Sequence, residues 1–274
     1  MNALCDLAAL AAAIPDGAKL AIPNDPHGVA MAATRELVRR RARDLRIVCV
    51  PTSGIQADVL IGAGCVAAIE TSAVSIGEYG TAPRFAAAAR DGSVQIMDAT
   101  CPAIHAGLQA GLKGLPFIPL RGLLGTDILA NRPDWMVIDN PFAPGDPVVV
   151  LPAIRPDIAI FHAPRADRLG NVFIGRSRDL VNIAQASRAS FVTVEEVVDD
   201  DLLEDPERSA GVVPALYVER IAVAHRGAWP LALPGRYAAD GAALGRYAQV
   251  ARTREGFNAW VTAWLAGPAS TASA

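Results

Sequence analysis

Four short glycine-containing or helix-opening stretches carry side chains that could bind or transform a ligand. They are PNDPHG (23–28), PTSGIQAD (51–58), SIGEYG (75–80) and DATCPAIH (98–105). Each follows a short apolar run of the kind that forms a buried strand. Ligands of open parallel sheets bind in the loops that follow the strands. We therefore expect the four stretches to lie at the ligand-binding edge of a sheet.

The first stretch offers backbone N–H groups together with polar side chains. Asn24, His27 and Gly28 stand where a strand ends and a helix opens. N–H groups at the start of a helix suit an anion or an acyl oxygen, so these residues are candidates for substrate binding. The alternative is a capping turn, with Asp25 ahead of a helix that begins near Pro26.

The second and third stretches are glycine-containing turns with one reactive group each. Ser53 and Gly54 are further candidates for substrate binding, and an ordinary turn is the alternative. Glu78 stands between two glycines, which leave its carboxylate open to a reacting group. Glu78 is therefore the candidate catalytic residue of this chain, and a solvent-exposed turn glutamate is the alternative.

The fourth stretch combines a thiol with an acid and a histidine. Thr100 predicts a helix N-cap with Cys101 in the first turn, where the helix dipole favours a thiolate. His105 follows at i+4 on the same face, and no acid is placed to orient it, so a catalytic triad is not favoured. Asp98 and Cys101 are candidates for substrate binding, and a small buried cysteine is the alternative for Cys101.

A fifth stretch, GLPFIPLRGLLGTDIL (114–129), interrupts an apolar run with prolines, glycines and charges. It predicts a buried strand, LPFIPL, that leaves the sheet at its ligand-binding edge. Arg121 would then pair with a carboxylate or phosphate beside the flexible Gly122. The alternative is an internal ion pair of Arg121, with Asp127 capping the next turn.

The elements that position these residues alternate between strand-like and helical runs. This order predicts an α/β fold with an open, mostly parallel sheet and helices on both faces. The 274 residues are 52% hydrophobic and 19% charged, and a chain of this length buries roughly 75% of its unfolded surface. We expect a single domain over residues 1–274, with a tail that is disordered from about residue 267.

Composition also excludes several classes of protein. A net charge of −3 leaves no electrostatic footprint for nucleic acid. The four cysteines lack CxxC spacing and the histidines lack ligand-spaced partners, so no metal is expected. The sequence contains no uncharged apolar run of about 18 residues, so no membrane span is expected. Its apolar start lacks the basic residues of a signal peptide. These features predict a cytoplasmic protein.

Several longer motifs carry a resemblance to a known family. GLPFIPLRGLLGTDIL is followed by ADRLGNVFIG (166–175), SFVTVEEVV (190–198) and GAWPLALPGRYAAD (227–240). This ordered set resembles the α-type subunit of class I CoA-transferases, the glutaconate and 3-oxoacid group, over about residues 16–265. The resemblance implies a CoA-transferase/sugar-phosphate isomerase-like fold that acts on coenzyme A as acyl-CoA.

The same resemblance implies a partner. Family members move coenzyme A between carboxylic acids through a glutamyl-CoA thioester, and they work as hetero-oligomers of α and β subunits, commonly α2β2. In the glutaconate-like arrangement the nucleophilic glutamate belongs to the β subunit. This chain contains no SENG motif of the kind that carries the glutamate.

Two departures from the family leave other functions open. The chain has Pro23-Asn24-Asp25 where relatives carry a glycine pair, and the β-carbons restrict close backbone approach. It is also similar to the ring-cleaving CoA-thioester hydrolases of steroid breakdown, in which an acidic residue in the stretch corresponding to 98–101 is important. One alternative is thus a CoA-thioester hydrolase subunit that uses Glu78 as base or nucleophile. Another is a non-catalytic ligand-binding or scaffold subunit.

Overall fold

The computed structural model describes residues 4–266, and the tail predicted to be disordered lies outside them. The strands, numbered in chain order, are β1 Lys19–Ile22, β2 Leu45–Cys49, β3 Val66–Thr71, β4 Gln95–Asp98, β5 Phe117–Leu120, β6 Met136–Asp139, β7 Pro147–Pro152, β8 Ile158–Asp167, β9 Val172–Phe173, β10 Ala189–Val198, β11 Val212–Val213 and β12 Val218–Val223. The α-helices are α1 Leu7–Ala12, α2 Met31–Arg39, α3 Ile55–Gly62, α4 Pro83–Asp91, α5 Cys101–Leu112, α6 Arg178–Ala186, α7 Gly241–Val250 and α8 Arg254–Ala266.

The main sheet is mostly parallel, as the alternating elements predict. Seven strands run parallel in the order β12-β10-β8-β1-β2-β3-β4. The short strands β9 and β11 extend it by antiparallel pairing next to β8. Because the parallel strands all end at one edge, the loops after β1, β2, β3 and β4 come together there.

Helices cover both faces of this sheet. Along β2, Ile47 and Cys49 belong to one buried apolar cluster and Val48 belongs to the other. The first cluster packs against α1, α2, α3, α4, α7 and α8, and the second packs against α5 and α6. Continuous apolar strands are therefore required, because neither face of the strand meets water.

The stretch LPFIPL does not form a buried strand of the main sheet, contrary to the sequence prediction. Its strand β5 is an edge of a separate three-stranded antiparallel sheet in the order β5-β7-β6. Phe117 is 52% exposed, and Met136, on the opposite edge strand of the same sheet, is 62% exposed. The proline at position 119 has no N–H to donate, which suits an edge strand.

One predicted helix end is confirmed and one alternative is wrong. Thr100 caps α5 by accepting a hydrogen bond from the Ala103 N–H at 3.3 Å. Asp25, however, does not cap the helix that follows it, because α2 begins only at Met31 and its N-cap position is Ala30. At the end of α4, Gly92 adopts the left-handed conformation with φ +70°.

Helix α7 is fixed to α3 and α4 through one buried carboxyl group of α3. The Tyr247 hydroxyl donates to Asp58 Oδ2 at 2.6 Å, and the Phe85 N–H donates to Asp58 Oδ1 at 2.7 Å. Burial raises the pKa of Asp58 to about 6, although these hydrogen bonds act in the opposite direction. Within residues 4–266, no helix is both long and apolar enough to cross a bilayer.

The Tyr247 contact yields a stability prediction. Tyr247→Phe removes the hydroxyl and leaves one oxygen of a buried carboxyl group without its donor, which costs about 1–3 kcal/mol. Urea unfolding followed by circular dichroism measures the loss. Tyr217→Phe is the matched control, since the Tyr217 hydroxyl makes no hydrogen bond within residues 4–266, and should change stability by less than about 0.5 kcal/mol. Equal effects of the two substitutions would contradict the assignment.

Candidate active site

A cavity of about 630 Å³ opens at the carboxyl ends of β3 and β4. Its wall combines hydroxyl, amide and carboxyl groups with apolar side chains. The lining residues are Thr71, Ser72, Ala73, Val74, Ser75, Thr81, Phe85, Ile96, Asp98 and Asn131. The cavity thus lies at the sheet edge where the sequence places ligand binding.

The loop after β3 is held in a fixed shape by its own hydroxyl groups and by the loop after β2. The Thr71 hydroxyl donates to the Ala73 carbonyl at 2.8 Å and accepts from the Ala73 N–H at 3.2 Å. The Ser75 N–H donates to the Ser53 carbonyl at 3.1 Å. Ser53 is itself fully buried, and its hydroxyl donates to backbone carbonyls, including that of Pro23 at 2.9 Å. Ser53 therefore supports the loops.

Gly54 and Asp25 meet next to Ser75, a residue of the cavity wall, and we refer to this place as the rim of the cavity. The Gly54 N–H, at the start of α3, donates to Asp25 Oδ1 at 2.9 Å. A Cβ at position 54 would collide with the Asp25 carboxylate and with the backbone carbonyl of Ser75. Glycine is thus required by close approach of the loops after β1, β2 and β3.

The Asp25 carboxyl group is perturbed by its surroundings. Burial raises its pKa to about 7, although hydrogen bonds from the Gly54 and Ile55 N–H groups lower it. A carboxyl group of this kind can exchange a proton near neutral pH, which general acid–base chemistry requires. The sequence placed Asp25 in a stretch that either binds a ligand or caps a helix, and it did not predict this pKa.

Asp98 lines the cavity and is held there through its backbone. The Arg132 guanidinium donates to the Asp98 carbonyl at 3.1 Å and to Glu70 Oε1 at 2.8 Å. It also donates to Asp134 and lies 4.0 Å from the ring centroid of Trp135. No hydrogen bond to the Asp98 carboxylate is formed within residues 4–266, so the acid is available to a ligand.

Cys101 is exposed at the first turn of α5, so the alternative of a small buried cysteine is wrong. Its Sγ lies 3.3 Å from the hydroxyl oxygen of Ser72, a residue that lines the cavity. Among residues 4–266, His105 is not hydrogen-bonded to this thiol. The structure brings Cys101 to the cavity and gives it no general base.

Glu78 lies next to the cavity rather than in its wall. It occupies a short 3-10 helix, Gly77–Tyr79, at the tip of a turn whose two ends, Ser75 and Thr81, line the cavity. Its side chain is exposed. The Tyr79 hydroxyl donates to the Gly241 carbonyl at 2.7 Å and so fixes this turn to α7.

The first stretch forms its own hydrogen-bonded group behind the rim. His27 Nδ1 and Asn24 Oδ1 are 2.5 Å apart. The Asn24 amide donates to the Pro51 carbonyl and to Asp179 Oδ2, each at 3.3 Å. Gly28 is buried with φ +73°, and a Cβ there would collide with the His162 carbonyl. These contacts give the three residues a supporting position next to Asp25.

Arg121 and Gly122 lie outside the cavity wall. Arg121 forms a two-pronged ion pair with Asp146 of the three-stranded sheet, and its side chain is 63% exposed. Asp127 lies in the first turn of a 3-10 helix, Asp127–Asn131. The internal ion pair that the sequence left open is therefore the arrangement observed, and it replaces the expected pairing with a ligand in this structure.

A buried carboxylate that the sequence interpretation missed organises the other end of the sheet. Glu195 accepts hydrogen bonds from His162 Nε2 at 2.8 Å, the Tyr237 hydroxyl at 2.9 Å and the Arg226 N–H at 2.9 Å. Desolvation raises the pKa of Glu195, but these hydrogen bonds outweigh it and the pKa falls to about 2. His162 is fully buried, and its Nδ1 lies 2.8 Å from the Thr193 hydroxyl oxygen, so its ring is hydrogen-bonded at both nitrogens.

The arrangement offers hydrogen-bonding groups to a ligand but, within residues 4–266, does not contain a complete nucleophilic site. Asp98 is the one carboxylate in the cavity wall, and the other polar groups there are hydroxyls and the Asn131 amide. Within residues 4–266, no group of three His, Cys, Asp or Glu side chains is arranged to hold a metal ion. The cavity therefore offers hydrogen-bonding and shape, with Asp25 as a proton-exchanging group at its rim.

The perturbed Asp25 predicts a pH dependence of stability. Its pKa is about 7 in the folded chain against an ordinary value of 3.8, so the folded state binds the extra proton between these limits. The resulting stabilisation is complete below about pH 4 and is lost as pH rises to about 7, an effect on the order of a few kcal/mol. Urea unfolding from pH 4 to 8 should show a smaller loss in Asp25→Asn than in the wild type, since only the contribution of Asp58, whose pKa is raised to about 6, is common to both. Parallel pH profiles would disprove it.

The close approach of the loops at Gly54 predicts a loss of stability when this glycine is replaced. Gly54→Ala should destabilise the fold by about 1–3 kcal/mol, because backbone and Asp25 must shift to accept the methyl group. Gly122→Ala is the matched control, since a Cβ there meets open space and φ is not positive. It should stay within about 0.5 kcal/mol of the wild type in the same unfolding experiment. An unchanged Gly54→Ala variant would show that the loops can separate.

Comparison with known proteins supplies the family. The family model described as Coenzyme A transferase matches residues 6–224. The chain is 31% identical over 258 residues to one subunit of the 3-oxoadipate CoA-transferase of Pseudomonas knackmussii, covering 93% of this chain and 90% of that protein. The glutaconate coenzyme A-transferase of Acidaminococcus fermentans superposes with a TM-score of 0.89 at 28% identity, over 96% of this chain and 88% of that one.

Other activities occur among similar proteins. The decarboxylase AibA/AibB, solved as a variant, matches with a TM-score of 0.82 at 29% identity over 96% of this chain and all of that one. The predicted similarity to steroid hydrolases is confirmed by a cholesterol ring-cleaving hydrolase IpdA subunit of Mycobacterium tuberculosis. It is 27% identical over 248 residues, 86% of this chain and 84% of that protein. The family-model match over most of the chain and the sequence identity to transferase subunits decide which family the chain belongs to. The chain is a member of the coenzyme A transferase family.

Proposed function

We propose that this chain is the α subunit of a CoA-transferase that moves coenzyme A between carboxylic acids. The observation that carries the proposal is the open, hydroxyl-lined cavity after β3 and β4, which has one free carboxylate, Asp98, and no second acid in its wall. Such a cavity suits an acyl thioester, whose carbonyl and amide groups need hydrogen-bonding partners. The transferase relatives are each named as one subunit of their enzyme, which supports a partner chain.

The chemistry requires a group that this cavity lacks. A glutamate carboxylate must attack the thioester carbonyl, expel the CoA thiolate and form an acyl-glutamyl anhydride. The thiolate then attacks the glutamyl carbonyl, which releases the donor acid as a carboxylate and leaves a glutamyl-CoA thioester. The acceptor carboxylate attacks this thioester in the same two steps, which yields the new acyl-CoA and regenerates the glutamate. In this proposal the attacking glutamate belongs to a β subunit, and it enters the cavity from the open side. An α2β2 assembly is the expected form of the complex.

Residues of this chain would then have supporting roles. Asp98 would accept a hydrogen bond from an amide N–H or hydroxyl of the acyl-CoA, and the Ser72 hydroxyl beside Cys101 would contact the same ligand. Asp25, whose pKa burial raises to about 7, would exchange a proton at the rim. Asn24, His27, Gly28, Ser53 and Gly54 would hold the rim in place. Arg121 and Gly122 would contribute only if the ion pair with Asp146 opened.

A trapping experiment tests the transferase mechanism. The chain is coexpressed with its β subunit, mixed with acyl-CoA, and treated with borohydride or hydroxylamine before mass spectrometry. We expect a modified glutamate on the β subunit, with none on this chain. An adduct on Glu78, or no adduct on either chain while CoA is still transferred, would overturn the proposal. Native mass spectrometry of the same sample tests the α2β2 assembly.

Two matched acid-to-amide substitutions compare the role of Asp98 in the cavity wall with that of Glu78 in the adjacent turn. Asp98→Asn should lower kcat/KM by about tenfold or more, the loss of one charge-assisted hydrogen bond in the transition state. Glu78→Gln should leave transfer within about twofold, because its side chain lies outside the wall. Steady-state transfer between two acids measures both. The reverse ranking would make Glu78 the catalytic residue.

Hydrolysis is the second candidate, favoured by the 27% identity to the ring-cleaving hydrolase subunit. Water would replace the acceptor acid, with Glu78 as base or nucleophile. This mechanism predicts that CoA is released without any acceptor and that release is lost in Glu78→Gln. Thiol titration with and without an acceptor acid distinguishes the two mechanisms. If neither transfer nor hydrolysis occurs while acyl-CoA still binds, the chain is a ligand-binding subunit.

A further inference from the structure

A second cavity, of about 560 Å³, lies between α2, the segment after β12 and α8. It shares no lining residue with the cavity after β3 and β4. Its main side chains are Arg35, His225, Arg226, Trp229, Trp260 and Trp264. Nothing in the proposed transfer reaction uses these residues, so the cavity needs its own explanation.

The walls of this second cavity are aromatic. Three of the four tryptophans of the chain line it. Trp260 and Trp264 lie one turn apart on α8 and stack with ring centroids 5.2 Å apart and an interplanar angle of 20°. The Trp229 Nε1–H donates to Asp240 Oδ2 at 3.3 Å, so its polar atom is already paired. What remains is a set of flat apolar surfaces, which favour a planar aromatic ligand.

The charges of the second cavity are all of one sign. Arg35 and Arg226 line it, His225 lies beside them, and no lining residue is acidic. Arg35 forms no ion pair or hydrogen bond within residues 4–266, and its Nε is buried without a partner. A buried donor of this kind costs free energy unless an acceptor reaches it. An anion in the cavity would provide that acceptor.

The backbone and the side chain of Arg226 both contact neighbouring residues that hold them in place. Its own N–H and that of Gly227 donate to Glu195, at 2.9 and 3.2 Å. Its guanidinium carbon lies 5.2 Å from the ring centroid of Tyr237, the residue whose hydroxyl also donates to Glu195. The buried carboxylate therefore fixes the turn that carries His225 and Arg226, and the second cavity keeps a defined shape.

We propose that the second cavity is a binding site for a planar aromatic carboxylate. The aromatic ring lies against the tryptophan faces, and the carboxylate pairs with the Arg35 guanidinium. A volume of 560 Å³ lies in the range of about 300–1,000 Å³ typical of small-molecule sites. This ligand differs from the acyl-CoA of the proposed reaction, and the inference does not depend on that reaction.

Isothermal titration calorimetry of the coexpressed complex with 2-naphthoate tests the site. We expect one bound naphthoate per chain, with 2-naphthamide and cyclohexanecarboxylate each binding about tenfold more weakly, since each lacks either the charge or the flat ring. Arg35→Gln and Trp264→Leu should each weaken naphthoate by about tenfold or more. Arg90→Gln is the matched control, an exposed helix arginine outside the cavity lining, and should leave the affinity unchanged.

Three results would overturn the proposal. Equal affinity for naphthoate and naphthamide would show that Arg35 does not select an anion. Unchanged affinity in Arg35→Gln and Trp264→Leu would place the ligand elsewhere. Binding to the isolated chain but not to the complex would show that the partner subunit covers the cavity. Circular dichroism of each variant confirms that the fold is retained.

Discussion

The buried ion pair between Glu70 and Arg132 is the interaction on which the candidate active site depends. Both side chains are nearly inaccessible, at 6% and 3% exposure, and their charged atoms are 2.8 Å apart. Removing one partner of such a pair leaves the other charge in a low-dielectric interior, which costs about 3–5 kcal/mol. Lys19 adds a longer contact to Glu70 at 3.5 Å. The pair therefore fixes β3 to the segment that connects β5 to β6 of the three-stranded sheet.

That same arginine also determines the shape of the cavity. Because Arg132 donates to the Asp98 carbonyl, the end of β4 is held against the end of the Asp127–Asn131 helix. Asn131 is thus brought to the cavity wall beside Asp98. On the opposite side, Gly54 allows the loop after β2 to touch Asp25. A few polar contacts between loops distant in sequence give a site that no single loop contains.

Much of the fold could be predicted from the sequence because its signals are local. Apolar runs such as the one in β10 predict buried strands, and Thr100 and Gly92 mark helix ends by their own chemistry. The run LPFIPL led to the wrong prediction of a buried strand in the main sheet, because apolar composition does not determine which sheet a strand joins. Pro119 was the available signal, because a proline within a strand points to a sheet edge.

The candidate site was less predictable because its properties come from contacts between distant segments. Burial raises the pKa of Asp25, and the N–H groups that oppose this shift, those of Gly54 and Ile55, lie 29 and 30 residues further along the chain. Glu195 meets partners up to 42 residues away in sequence. The residues that contact Asp25 and Glu195 have no regular spacing along the chain that could be recognised in the sequence. Asp98, in contrast, was found because the end of a parallel strand places its residue at the ligand edge whatever the tertiary contacts are.

The Asp25 carboxyl group has one further consequence. Because burial raises its pKa to about 7, this carboxyl group changes its charge within the neutral range instead of well below it. A rate or affinity that responds to this charge therefore varies with the pH of the buffer around neutrality. Constants obtained at different pH values then describe different protonation states of the same protein.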